Sequence, residues 1–205
     1  MALSSAANRR LREEAHPLTN EEKLRRGMLF YVIADIIFGV FVFVSYIWLR
    51  AYNTAGGWFP FRHMPLPDPA ISNVLLLLIV LSGVCYLVAY MGIRWGSRLA
   101  LSAGLAAATI LLLATLILQS WFMGHLPFAS RDGSFASIFL LFTGYHIFHL
   151  SVGLFLGPGV TNRAIHGRYS RERHVGIIAI GYFWAWMVIM PVIWAIILVV
   201  QPPRL

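Results

Sequence analysis

Polar and apolar positions in this chain separate into blocks rather than alternating. Five long apolar blocks run roughly from Gly27 to Leu49, Ile71 to Ile93, Leu99 to Met123, Phe135 to Leu156, and Val175 to Val200. Each can cross about 30 Å of hydrocarbon, which takes about 20 mostly apolar residues in helical form. The third is rich in small residues (Ala100, Ala103, Gly104, Ala107, Ala108), which lets neighbouring helix backbones approach closely. Pro158, between Gly157 and Gly159, is expected to mark the exit of the fourth helix. Pro191 lies inside the fifth and predicts a kink of the kind membranes tolerate. The predicted fold class is all-α: a polytopic membrane protein with five transmembrane helices, residues 27–205, behind an amino-terminal arm over residues 1–26.

Composition agrees with the blocks. Of 205 residues, 59% are hydrophobic and only 12% charged. That charge is roughly half the share of an ordinary soluble domain, and the apolar excess excludes a disordered chain. The formal net charge of +8 would usually invite a search for an acidic partner. Its distribution gives another explanation. Twelve of the sixteen Lys and Arg residues fall on one side of the predicted spans, in the arm, around Arg94 and Arg98, and between Arg163 and Arg173. Arg50, Arg62, Arg131 and Arg204 fall on the other. The richer side is expected to face the cytoplasm, with the amino terminus inside and the carboxyl terminus outside. A basic face beside anionic headgroups then needs no nucleic-acid partner. The arm has interleaved charges, Pro17 and no apolar core of its own, so it does not read as a cleaved signal. A short helix over Asn20–Arg26, capped by Asn20, is expected within it. Cys85 is the single cysteine and reads as a packing residue.

Few polar groups remain inside the spans, and each is a candidate for function because burying it in lipid is costly. Asp35 is the sole acid there. Hydrocarbon disfavours a bare carboxylate, so Asp35 is expected to be a neutral acid unless a partner is supplied. Such an acid serves either as a structural hydrogen-bonding group or as a proton-accessible carboxyl near a partner surface. His146 and His149 are three apart and share a helical face. Imidazoles at that spacing can bind a metal, but a complete ligand set is lacking, and a heme would want a histidine from a second span. Bridging between helices or contact with lipid is the favoured role for them. Gln119 most simply bridges helices, and Trp121 fits an aromatic belt. Arg171, Arg173 and His174 stand where they can meet lipid headgroups. Tyr182, Phe183, Trp184, Trp186 and Trp194 read as packing in the last span.

Thr143-Gly144-Tyr145-His146-Ile147-Phe148-His149, followed by Gly153, resembles the Thr-Gly-Phe-His-x-x-His motif of subunit III of heme–copper oxidases. Ser137 and Phe139 fit its lead-in, with Ala136 in place of a glycine. Leu24-Arg25-Arg26-Gly27-Met28, then Ala34-Asp35 and Phe38, is similar to the family's Arg-x-Gly-Met and Ser-Glu-x-x-Phe segment. His174, Gly176, Ala179 and Trp184 resemble the start of its last helix, and the ordered likeness covers Leu24 to Trp194. Five spans suit the shorter bacterial form of the family.

The resemblance implies an accessory subunit in a bacterial plasma membrane, with its helices splayed into a V. It implies bound phospholipid in the cleft and no cofactor in this chain, heme and copper being held by partner subunits. Subunit I is the implied main contact, with subunit II, a small subunit IV or a respiratory supercomplex beyond it. The implied role is to sustain proton uptake and endurance of a cytochrome c oxidase. Asp35 takes the place of the family's buried glutamate near the lipid cleft and subunit I, while His146, His149, Gln119 and Thr143 support the cleft. Phe122, Ile178, Ala185 and Val188 stand where the family usually has polar residues. A quinol oxidase, a nitric-oxide-reductase-associated homologue, a small b-type cytochrome anchor and a proton-coupled transporter are the alternatives.

Overall fold

The computed structural model describes residues 19–52, 57–58 and 65–203. Most of the arm, together with Arg62 and Arg204, lies outside the described residues. The chain is an all-α polytopic membrane protein: α1 (Asn20–Ala51), α2 (Pro69–Trp95), α3 (Arg98–Gly124), α4 (Ser134–Ile165) and α5 (Val175–Val200), with a short 3-10 turn over Ser130–Asp132. All five are long and apolar enough to cross a membrane.

Helix ends follow local chemistry. Thr19, not Asn20, caps α1: its side chain accepts from the Glu22 backbone N–H, and Glu22 returns a bond to Thr19 N at 2.9 Å. The expected short arm helix is therefore the first turns of α1 itself. Asp68 caps α2 ahead of Pro69, and Ser97 caps α3. Gly96 separates the last two in a left-handed conformation, φ 81°, that favours glycine. The expected exit at Pro158 is not observed. Helix α4 runs through it to Ile165. A proline removes only one backbone donor, and membrane helices absorb that loss where neighbours close the gap.

The packing has three layers. Helices α4 and α5 form the middle; 44% and 39% of their spanning windows are buried, against 22–28% for the other three. The α2–α3 hairpin covers one side and α1 the other, and among the described residues α1 touches α4 and α5 but neither α2 nor α3. The hairpin closes on small residues: a Cβ on Gly104 would meet the Cys85 carbonyl oxygen at 2.8 Å and Ala89 backbone nitrogen at 2.9 Å. Tyr86 donates to Ile177 O at 2.7 Å and Ser82 to Ala108 O at 2.8 Å, tying α2 to both neighbours. At the opposite end Tyr46 donates to Gln201 O, and Arg50 to Pro202 O and to Gln201 Oε1. Helices α1 and α5 thus end side by side, leaving Asp35, near the middle of α1, between α4 and α5.

Candidate functional site: a buried acid at the junction of three helices

Three helices converge on Asp35. Helix α4 contributes Tyr145 and His149, four apart and hence on one face. Helix α5 contributes Trp186. Tyr145 Oη donates to Asp35 Oδ1 at 2.8 Å and lies 3.0 Å from the Asp35 backbone oxygen. Trp186 Nε1 donates to Oδ2 at 2.7 Å, and His149 Nε2 lies 2.6 Å from the same oxygen. The His149 side chain is fully buried, whereas that of Asp35 retains 12% exposure.

The hydrogen bonds define the proton inventory. His149 Nδ1 is 2.7 Å from Tyr145 O, which only accepts, so Nδ1 carries a hydrogen. One further proton lies between His149 Nε2 and Asp35 Oδ2. On nitrogen it makes an imidazolium–carboxylate pair; on oxygen it makes two neutral groups. Both placements leave the pair without net charge, which avoids the heaviest penalty of burying ions. Asp35 has the partners that the sequence left open: besides His149, Tyr145 and Trp186 donate to its carboxyl. Gly39, one turn beyond Asp35, makes the socket. A Cβ there would meet Trp186 Cζ2 at 2.8 Å and Tyr145 Oη at 3.8 Å. The arrangement can hold one proton at the edge of an otherwise apolar interior and move it by less than an ångström.

His146 points into a different seam. Its Nδ1 lies 2.8 Å from Gln119 Oε1 on α3, and Gln119 Nε2 donates to Thr143 O at 3.4 Å. That carbonyl only accepts, which turns the Gln119 oxygen toward His146 and makes Nδ1 the donor. The Thr143 hydroxyl instead bonds back to Phe139 O at 2.8 Å, so the contribution of Thr143 to the seam is its carbonyl. His146 Nε2 is buried with no hydrogen bond among the described residues. A cavity of about 90 Å³ beside it is lined by Ser72, Gln119, Phe122 and Thr143. That space suits water and is far too small for a heme. Both nitrogens of His149 are engaged, and no three His, Cys, Asp or Glu side chains gather as a ligand set among the described residues.

The basic residues lie at the far end of α2 and the start of α5. Arg171 Nε donates to Arg94 O at 2.7 Å. Arg173 is exposed, and His174 is half-buried immediately before α5, its ring 6.3 Å from that of Tyr90. The structure brings neither of these two to the Asp35 junction.

Residues 8–201 match the family model described as cytochrome c oxidase subunit III. The chain belongs to that family. It is 25% identical over 179 residues to cytochrome c oxidase subunit 3 of Pylaiella littoralis, covering 84% of this chain and 64% of the relative. For the Arabidopsis thaliana protein of the same name the figures are 26% over 174 residues, 78% and 62%. The Branchiostoma lanceolatum protein gives 25% over 168 residues, 78% and 63%. The chain therefore spans somewhat less than two thirds of the length of these curated relatives.

Family membership gives the site residues context. Tyr145 stands where the motif has phenylalanine, and the added hydroxyl is the group that meets Asp35. The sequence reading did not single Tyr145 out, although that departure and its spacing from His149 were the signals that could have found it. Nothing in the sequence signalled Trp186 or Gly39, because neither states which face of α5 meets α1. The four apolar departures fall on cavity walls: Phe122 beside His146, and Ile178, Ala185 and Val188 along a groove between α2 and α5.

Proposed function

We propose that the chain is the accessory subunit III of a bacterial cytochrome c oxidase. In this reading it sits in the plasma membrane with its amino terminus cytoplasmic and packs on subunit I beside subunit II. It binds phospholipid, contributes no redox cofactor, and helps subunit I keep taking up protons during sustained turnover. Asp35 is the acid beside the lipid and subunit I. His146, His149, Gln119 and Thr143 brace the helices around it, and Arg171, Arg173 and His174 meet headgroups. The observation that carries the reading is the junction itself: the acid of one family segment and the second histidine of another, 114 positions apart, meet at 2.6 Å. A pair kept neutral by one shared proton, with an edge left exposed, suits an acid that must remain protonatable in lipid.

The test is purification of the full chain from native membranes through an affinity tag. Heme–copper subunits I and II should co-purify in stoichiometric amounts, with a copper-bearing subunit II marking cytochrome c as electron donor. A subunit II without copper would move the assignment to a quinol oxidase. Recovery of the chain alone, with its own Soret band or with substrate flux in liposomes, would overturn the reading.

A further inference from the structure

His146 leaves one ring nitrogen over. Its Nδ1 donates to Gln119 Oε1, whereas Nε2 is buried with no hydrogen bond among the described residues. At 2% exposure the residue is closed to solvent at the protein surface. A second polar atom faces a similar lack. Pro191 lies inside α5 and brings no N–H, so the Met187 carbonyl four residues back loses its helical donor. The Met187 backbone lies against the His146 ring. With the hydrogen on Nδ1, Nε2 is an acceptor, and two acceptors do not bond each other.

The 90 Å³ cavity beside His146 has Pro191 on its wall. Along α2 it runs from Ser72 to Ile79, and along α5 from Pro191 to Leu198, a depth of about 10 Å. Ser72 is near the start of α2 and Leu198 near the end of α5, so the cavity leads from His146 toward that end of the bundle. Its hydroxyls are already committed: Ser72 donates to Asp68 O at 3.0 Å and Thr143 to Phe139 O at 2.8 Å. Each keeps only lone pairs for an occupant. Gln119 has one amide hydrogen beyond that given to Thr143 O. Acceptors are thus in surplus, and no charged side chain lines the space.

We propose that this cavity is a water site, in which one molecule donates to both His146 Nε2 and the Met187 carbonyl. At about 30 Å³ per water, up to about two more fill the way to Ser72. The surplus of acceptors selects an occupant that brings hydrogens, which excludes anions and dioxygen. An ammonium ion would find no counter-charge in the lining. The bridge holds His146 neutral with its hydrogen on Nδ1. The α3–α4 seam is therefore hydrated, whereas the Asp35 junction is satisfied by protein groups alone.

The test uses the full chain labelled with ¹⁵N-histidine in phosphatidylcholine nanodiscs, the His146 resonances being those lost in His146→Phe. The native chain should show a protonated Nδ1, a bare Nε2 shifted by a hydrogen bond, and magnetisation transfer from water to Nε2. Leu76→Phe or Leu198→Phe, which fill the cavity from opposite walls, should abolish the transfer and return Nε2 to the frequency of an unbonded nitrogen. An unchanged Nδ1 resonance in these variants reports that the Gln119 bond and the fold persist. Pro191→Ala gives the Met187 carbonyl a backbone donor again and should weaken the transfer several-fold; undiminished transfer there overturns the bridge. A protonated Nε2 overturns the proposal, because it would donate to that carbonyl directly. So does a bare Nε2 without water transfer in a cavity that takes up xenon, the mark of a dry space. Transfer unaltered in both filling variants likewise overturns it.

Discussion

His149 and His146 stand one turn apart on α4, and they end in chemically opposite seams. His149 faces a carboxyl at 2.6 Å, with a phenol and an indole donating to the same group. His146 faces a side-chain amide at 2.8 Å and shares its seam with one carbonyl and a small cavity. The first seam joins three helices through an ionisable pair; the second joins two through neutral groups. Helical spacing put both imidazoles on one face, but the helix packed against each sets its chemistry. The consequence is energetic: losing a partner leaves a buried ionisable group in one seam and a displaced neutral hydrogen bond in the other.

The widest separation should come from Asp35→Leu. Removing one partner of a buried pair costs about 3–5 kcal/mol, so unfolding by sodium dodecyl sulfate titration in mixed micelles should show a loss in that range. A loss below about 1 kcal/mol would mean that the pair is not the joint described above. Gly39→Ala comes next. The added methyl collides with the Trp186 ring, and overpacking of this kind costs about 1–3 kcal/mol; Gly39→Ala combined with Trp186→Phe should cost less than the sum of the two. Trp186→Phe alone keeps the ring and removes the N–H donated to Asp35, for about 1.5–3 kcal/mol. Gln119→Leu should be smallest, near 0.6 kcal/mol, the average for side-chain hydrogen bonds within a membrane. If Gln119→Leu matched Asp35→Leu, the contrast between the seams would fail.

The helices were legible because hydrocarbon imposes a length and forbids charge, so five blocks stood out without reference to packing. Their ends were less so. Pro158 looked like a stop because proline ends helices in water; α4 continues through it, and the Thr161 hydroxyl donates back to Gly157 O at 2.9 Å beside it. Thr19 was overlooked as a cap because Asn20 is an equally good capping residue and only geometry separates them. Asp35, His146, His149 and Gln119 were readable as polar groups in an apolar setting. The pairing between them was not: sequence placed the histidines together, whereas packing sends His149 to α1 and His146 to α3. Trp186 read as one aromatic among many; packing of α5 on α1, with Gly39 leaving room for its ring, brings its N–H to a carboxyl.

Asp35→Asn separates architecture from proton chemistry. The amide can still accept from Tyr145 and donate to His149 Nε2, losing only the bond from the Trp186 N–H to the atom that was Oδ2, so assembly should survive, but the shared proton is gone. The most direct measurement is the active lifetime under continuous turnover of the oxidase complex proposed above, comparing the native complex with Asp35→Asn and Gln119→Leu at equal recovery of all subunits. A proton shared between Asp35 and His149 predicts that Asp35→Asn shortens the lifetime several-fold while Gln119→Leu leaves it unchanged. Equal endurance of all three complexes would contradict it.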